Sequence, residues 1–173
     1  MTMVEMQVMG IALDTRTGSP IVVLNDLENR RALPIWIGSA EASAIIRQLE
    51  NIKSARPMTH DLIHNIITNT GFTMEKIVIN DLTSDTYYAS IFLHNKEGKE
   101  YIIDSRPSDA IALALRAQCT IYVTANVIAD GTISTDNERD EAEAEEFRQF
   151  VQDIKPSDFN KMINNDDEFY SDT

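Results

Sequence analysis

The chain has one cysteine, Cys119, so no disulfide can form within it and the fold has to rest on packing and hydrogen bonds. No apolar run approaches the ~20 residues that a bilayer span requires. The N-terminal stretch MTMVEMQVMGIALD has no basic segment and carries Glu5, which is unlike a signal peptide. These absences place the expectation on a cytoplasmic protein with no membrane association. Histidine is scarce too, at three residues (His60, His64 and His94), and lysines are few. What remains is a composition suited to one globular domain: 173 residues, 43% hydrophobic and 25% charged.

The formal net charge of −13 is unevenly spread. Residues 136–173 hold 13 acids against 4 basic residues, whereas residues 1–135 hold 15 against 11. The body is thus only mildly acidic. It lacks the basic surface that a nucleic-acid binder normally offers. Arg30, Arg31, Arg47, Arg56, Arg106 and Arg116 could still form a local patch, since guanidinium suits bidentate phosphate contacts. They could equally be scattered surface charges.

The hydrophobic period divides the body into strands and helices. Met3 to Asp14, Ile21 to Leu24 and Ala32 to Ile37 read as strands, with a turn at TRTGSP and another at Asp26 to Arg30. Ala42, Ile45, Ile46 and Leu49 then recur at helical spacing. A second helix starts with Thr59 as N-cap, carries the stripe Leu62, Ile63, Ile66 and Ile67, and stops at Gly71. Strands follow at Glu75 to Asn80, Thr86 to His94 and Glu100 to Ser105. A helix opened by Pro107 and a short strand at Thr120 to Thr124 complete the body.

Displaced by 68 residues, VLNDLENRRALPIWIGSAEASAI (Val23 to Ile45) lies over IFLHNKEGKEYIIDSRPSDAIAL (Ile91 to Leu113) without gaps. Both run strand, polar turn, strand, helix, and Glu41 matches Asp109 in the first helical turn. The expected fold is therefore α+β, a mixed β-sheet with packed helices built from two hairpin-plus-helix repeats. Residues 1–133 form this domain. Residues 134–173 form an acidic tail with an amphipathic helix (Phe147, Phe150, Val151, Ile154) and a frayed end. Those aromatic rings call for burial, which predicts a homo-oligomer, most simply a dimer, while the acidic tail could address a protein partner.

Two clusters could carry chemistry. DSRPSD (Asp104 to Asp109) gathers carboxylates, an arginine and a serine where a strand becomes a helix, and helix starts favour anions. RPMTHD (Arg56 to Asp61) repeats the theme with Thr59 and with His60, a candidate for proton transfer. The plainer account has Asp109 balancing a helix dipole and Arg106 pairing with Asp104. The HDLIH spacing of His60 and His64 resembles zinc ligation, but its acid is Asp and no third ligand is apparent.

The strings MGIALDTRTGSPIVVLND, LPIWIGSAEASAI, RPMTHDLIHNII and IDSRPSDAIALALR, in this order, resemble the bifunctional nuclease family over roughly Met3 to Ala129. The segment EEFRQFVQDIKPSDF resembles the tail of its bacterial members. The resemblance implies hydrolysis of RNA and DNA phosphodiesters. Residues matching the family strings are Glu41, Arg56, Thr59, His60, Asp61, Asp104, Arg106, Ser108 and Asp109. His60, oriented by Asp61, is expected as acid or base. Asp104 and Asp109, with Glu41, would hold Mg²⁺ or Mn²⁺ or orient water. Arg56 and Arg106, with Thr59 and Ser108, would bind the phosphate. The alternative from another class is a non-catalytic binding module or oligomeric scaffold.

Overall fold

The computed structural model describes residues 2–134. The elements run β1 (Met3–Leu13), β2 (Pro20–Asp26), β3 (Arg31–Trp36), α1 (Ser39–Leu49), α2 (Thr59–Asn69), β4 (Phe72–Thr83), β5 (Thr86–Asn95), β6 (Glu100–Ser105), α3 (Pro107–Ala117), β7 (Thr120–Thr124), α4 (Ala125–Gly131) and β8 (Ile133–Ser134). The amphipathic helix and acidic tail expected from the sequence lie outside these residues.

All eight strands share one sheet in the order β6-β5-β4-β7-β1-β2-β3-β8. β4 and β7 pair in parallel while the other pairs are antiparallel, so the sheet is mixed and the class α+β. The meanders β1–β2–β3 and β4–β5–β6 flank β7. The stretches Val23 to Ile45 and Ile91 to Leu113 thus follow the same hairpin-then-helix course at opposite ends of one sheet.

Local chemistry explains these elements. β2 reads PIVVLND because every residue of it is buried, so both faces must be apolar or hydrogen-bonded. The β4–β5 turn places Ser84 and Asp85 at φ 49° and 60°, the paired left-handed residues of a tight hairpin. α3 opens on Pro107, whose missing N–H would have no helical acceptor in that position. Its Ala110, Ala112 and Ala114 let it pack closely against α1 and α2, while Ile111 and Leu113 fill the core.

α4 fixes the curl of the sheet. A side chain added at Gly131 would meet Tyr87 of β5 at 2.8 Å and Leu33 of β3 at 3.0 Å. Two strands five places apart in the sheet order therefore close on one helix end. That curl carries the start of α1, after β3, towards the start of α3, after β6.

The structure corrects three expectations. The N-cap of α2 is Met58 rather than Thr59, and the Asp61 carboxylate caps the Met58 N–H at 2.9 Å. The α2 stripe is not buried. Leu62, Ile63 and Ile66 are exposed, and only Ile67 packs against the core. Arg106 does not pair with Asp104; its partners are Asp109 and Glu41.

Candidate functional site

Three helix starts converge: α1 after Gly38, α2 after Met58 and α3 after Arg106. The residues that open a helix project side chains beyond its first turn, so clustered starts gather charge. Asp109, in the first turn of α3, lies at the centre. Its Oδ1 meets His60 Nε2 at 2.9 Å, and its Oδ2 accepts from Arg106 Nε at 2.7 Å. Arg106 Nη1 donates in turn to Glu41 Oε1 at 2.9 Å, linking α1 to α3. Beneath this layer Arg116 is 6% exposed. Its Nε donates to Asp61 Oδ1 at 2.6 Å, and its Nη1 to the carbonyls of Ala112 and Ala44 at 2.8 and 3.1 Å.

Asp61 therefore does not orient His60. The histidine carboxylate is Asp109, and Asp61 is held by Arg116. A cavity of about 390 Å³ opens over the cluster, walled by Thr59, His60, Asp109 and three arginines, Arg47, Arg106 and Arg116. Arg47 donates from Nη1 to Ser54 at 3.2 Å, while its buried Nε has no partner among the described residues. In the sequence Arg47 and Arg116 stand only as members of a possible patch; the packing of α1 against α3 is what brings both to the site. Arg56 is exposed in the connection between α1 and α2, and Asp104 is exposed on β6; neither lines this cavity. Arg30 turns away to Glu28 and Asp26. The structure thus brings together His60, Asp109, Arg106, Glu41, Thr59 and, in the layer below, Asp61. Ser108 is buried and faces a neighbouring cavity, which Arg106 and Glu41 also wall.

The electrostatics follow from these contacts. Burial works to raise the Asp109 pKa, but hydrogen bonds from Arg106 and His60 outweigh it and hold the carboxyl below its ordinary value. The Arg116 hydrogen bond holds Asp61 low in the same way. Its two carboxylate bonds push Arg106 further up, so its charge is permanent. Burial drives the Cys119 thiol to about 11, which leaves no thiolate nucleophile near neutral pH.

A depressed folded-state pKa stabilises the protein above the unfolded value and is lost as pH falls through the folded one. Stability should therefore drop below about pH 3.8, the ordinary value of both carboxyls. Asp61→Asn and Asp109→Asn should each flatten that drop in urea titrations between about pH 5 and pH 2, the range over which such carboxylates protonate. Parallel pH curves for wild type and both variants would contradict this account.

The donor set does not suit a resident Mg²⁺ or Mn²⁺ as it stands. Both Asp109 oxygens are engaged by His60 and Arg106, and Glu41 shares the same guanidinium. Among the described residues no group of three or more His, Cys, Asp and Glu side chains converges as metal ligands do. Nor is any helix among them long and apolar enough to cross a membrane.

Fold and site together define an α+β domain whose charged cluster sits at three converging helix starts. Residues 22–136 match the bifunctional nuclease domain. The chain is 34% identical over 163 residues to an uncharacterized protein of Mycobacterium tuberculosis, covering 90% of this chain and 97% of that one. Bifunctional nuclease 1 of Oryza sativa subsp. indica is 27% identical over 97 residues, which are 55% of this chain and 29% of the rice protein. Bifunctional nuclease 2 of Oryza sativa subsp. japonica is 29% identical over 108 residues, 60% of this chain and 33% of its own length. The chain belongs to the bifunctional nuclease domain family.

Proposed function

We propose that the protein is a nuclease hydrolysing phosphodiester bonds of RNA and DNA, with His60 as its proton-transfer group. The observation that carries this reading is the bond from Asp109 to His60 beneath a cavity walled by three arginines. Hydrolysis needs a proton moved, charge on the transition state offset, and the leaving oxygen protonated. Asp109 fixes the imidazole through Nε2, leaving Nδ1 for the exchange with water or leaving oxygen. Arg106 and Arg47 offset the phosphate charge, and the Thr59 hydroxyl is a further donor to it. Arg56 and Asp104 stand outside this core set.

The test is cleavage of single-stranded RNA and DNA by rigorously purified full-length protein, beside His60→Ala. Running it with and without Mg²⁺ or Mn²⁺ decides whether a cation enters with the substrate. Activity that copurifies equally with His60→Ala sinks the proposal.

The binding-module reading draws on a different observation. Each cation at the site except Arg47 already has a carboxylate partner, and the body carries a net negative charge. Binding without cleavage in the same assay would favour it. Both readings accommodate a homo-oligomer, supported by the exposed apolar residues Leu62 and Ile66 on α2 and Ile102 on the edge strand β6. Light scattering should give a mass at least twice 19.5 kDa, and a monomeric mass at micromolar concentration refutes it.

A further inference from the structure

A second cavity of about 390 Å³ lies on the far side of Arg106 and Glu41. Trp36, Tyr87 and Asp85 contribute to its wall. Trp36 is the chain's only tryptophan, and 54% of its surface is exposed. An indole left this open would ordinarily be free to reorient. This one is held, because its Nε1 donates to Asp14 Oδ2 at 3.1 Å, and Asp14 is itself 5% exposed. The other Asp14 oxygen accepts from the Arg16 N–H at 3.0 Å, which fixes the carboxylate. The indole of this wall residue is therefore tethered through its polar edge, which leaves its faces free of hydrogen-bonding duty.

The charges of the two cavities differ in a telling way. The His60 cavity sets three arginines against the carboxylates Glu41 and Asp109, whereas the Trp36 cavity sets Arg106 alone against Glu41 and Asp85. The second cavity disfavours a phosphate and suits an uncharged ring. Arg106 stands between them, so a chain that laid its phosphate on one side would place what that phosphate carries on the other.

We propose that the Trp36 cavity is a nucleobase subsite, which takes one unpaired base of single-stranded RNA or DNA by stacking on the indole. A base in a duplex hides both faces against its neighbours, so stacking on a side chain selects single strands. This assignment deepens the nuclease reading and rests on it.

Trp36 supplies its own probe, since no other tryptophan emits. A short oligodeoxyadenylate and an abasic phosphodiester of equal length are titrated separately into the full-length protein. The oligonucleotide should quench Trp36 emission saturably, and the abasic chain should not. By anisotropy of a labelled oligonucleotide, Trp36→Leu should weaken binding about 5- to 150-fold, the value of one base–aromatic stack, while Trp36→Phe retains most of it. Circular dichroism establishes that the Leu variant is folded. In cleavage the same variant should raise KM far more than it lowers kcat.

Binding without any change in emission, or equal affinity of Trp36→Leu, overturns the subsite while leaving the nuclease reading intact. An emission change that follows protein concentration in the absence of nucleic acid also overturns it, since the ring would then face a second copy. Quenching as described, together with undiminished cleavage by His60→Ala, would uphold the subsite and sink the catalytic assignment alone. No oligonucleotide binding at all removes both.

Discussion

His60→Ala is expected to lower kcat for phosphodiester cleavage by about 10²–10⁴-fold, the usual contribution of a positioned acid or base. The ring is 12% exposed and bonded through Nε2 to Asp109 at 2.9 Å, so alanine removes both the proton carrier and one partner of a half-buried carboxylate. Asp109→Asn discriminates between the two effects. An asparagine can still touch the ring, but it no longer carries the charge that holds Arg106. Its kcat should fall in protein that circular dichroism shows to be folded, whereas a merely structural loss would lower activity in step with the folded fraction. Glu41→Gln leaves the His60 contact untouched and should lower kcat little. A kcat near that of wild type in Asp109→Asn would remove the carboxylate–histidine pair from the mechanism.

Much of the fold was legible because its signals are local. The helical stripe of α1, Pro107 at the start of α3 and the two hairpins repeat patterns that need few neighbours to interpret. β4 ran past its expected ends for a physical reason. Register shifts between Met74 and Lys76 and between Ile79 and Asp81 break the alternation from which a strand is read. α4, at seven residues, is too short to show a period and was missed. α2 shows a different limit: periodicity identified Leu62, Ile63 and Ile66 as one face but could not say what covers it.

The site was legible in its parts and not in its pairings. His60, Arg106 and Asp109 stand in recognisable helix starts, yet His60 and Asp109 are 49 residues apart in the chain. Asp61 was the nearer carboxylate to His60 in sequence and therefore the natural choice. The curl of the sheet around α4 and the packing of α3 against both other helices decide otherwise, and neither leaves a local mark. Trp36 offers no functional reading in the sequence for the same reason, because its meaning depends on its bond to Asp14 and on the cavity it lines together with Arg106.

Arg116→Met should cost about 2–3 kcal/mol of folding stability, below the ~3–5 kcal/mol typical of a broken buried ion pair. The discount has a structural source: Asp61 keeps 35% of its side chain in water and can recover part of its hydration, while Arg116 is 6% exposed. Methionine keeps the aliphatic bulk, so the loss reports the guanidinium. That group joins three helices, since its acceptors are Asp61 of α2, the Ala44 carbonyl of α1 and the Ala112 carbonyl of α3 itself. α2 depends on it most, because none of its residues is buried and few apolar contacts anchor it. Amide exchange should accordingly quicken in α2 before it does in β2, whose residues are all buried. Asp61→Asn added to Arg116→Met should restore part of the stability, the signature of a coupled pair. Because His60 rides on the first turn of α2, cleavage should fall in Arg116→Met under conditions where the protein remains folded. A free energy of unfolding from urea titration within ~0.5 kcal/mol of wild type, the range of an ordinary surface substitution, would show that α2 is held by something else.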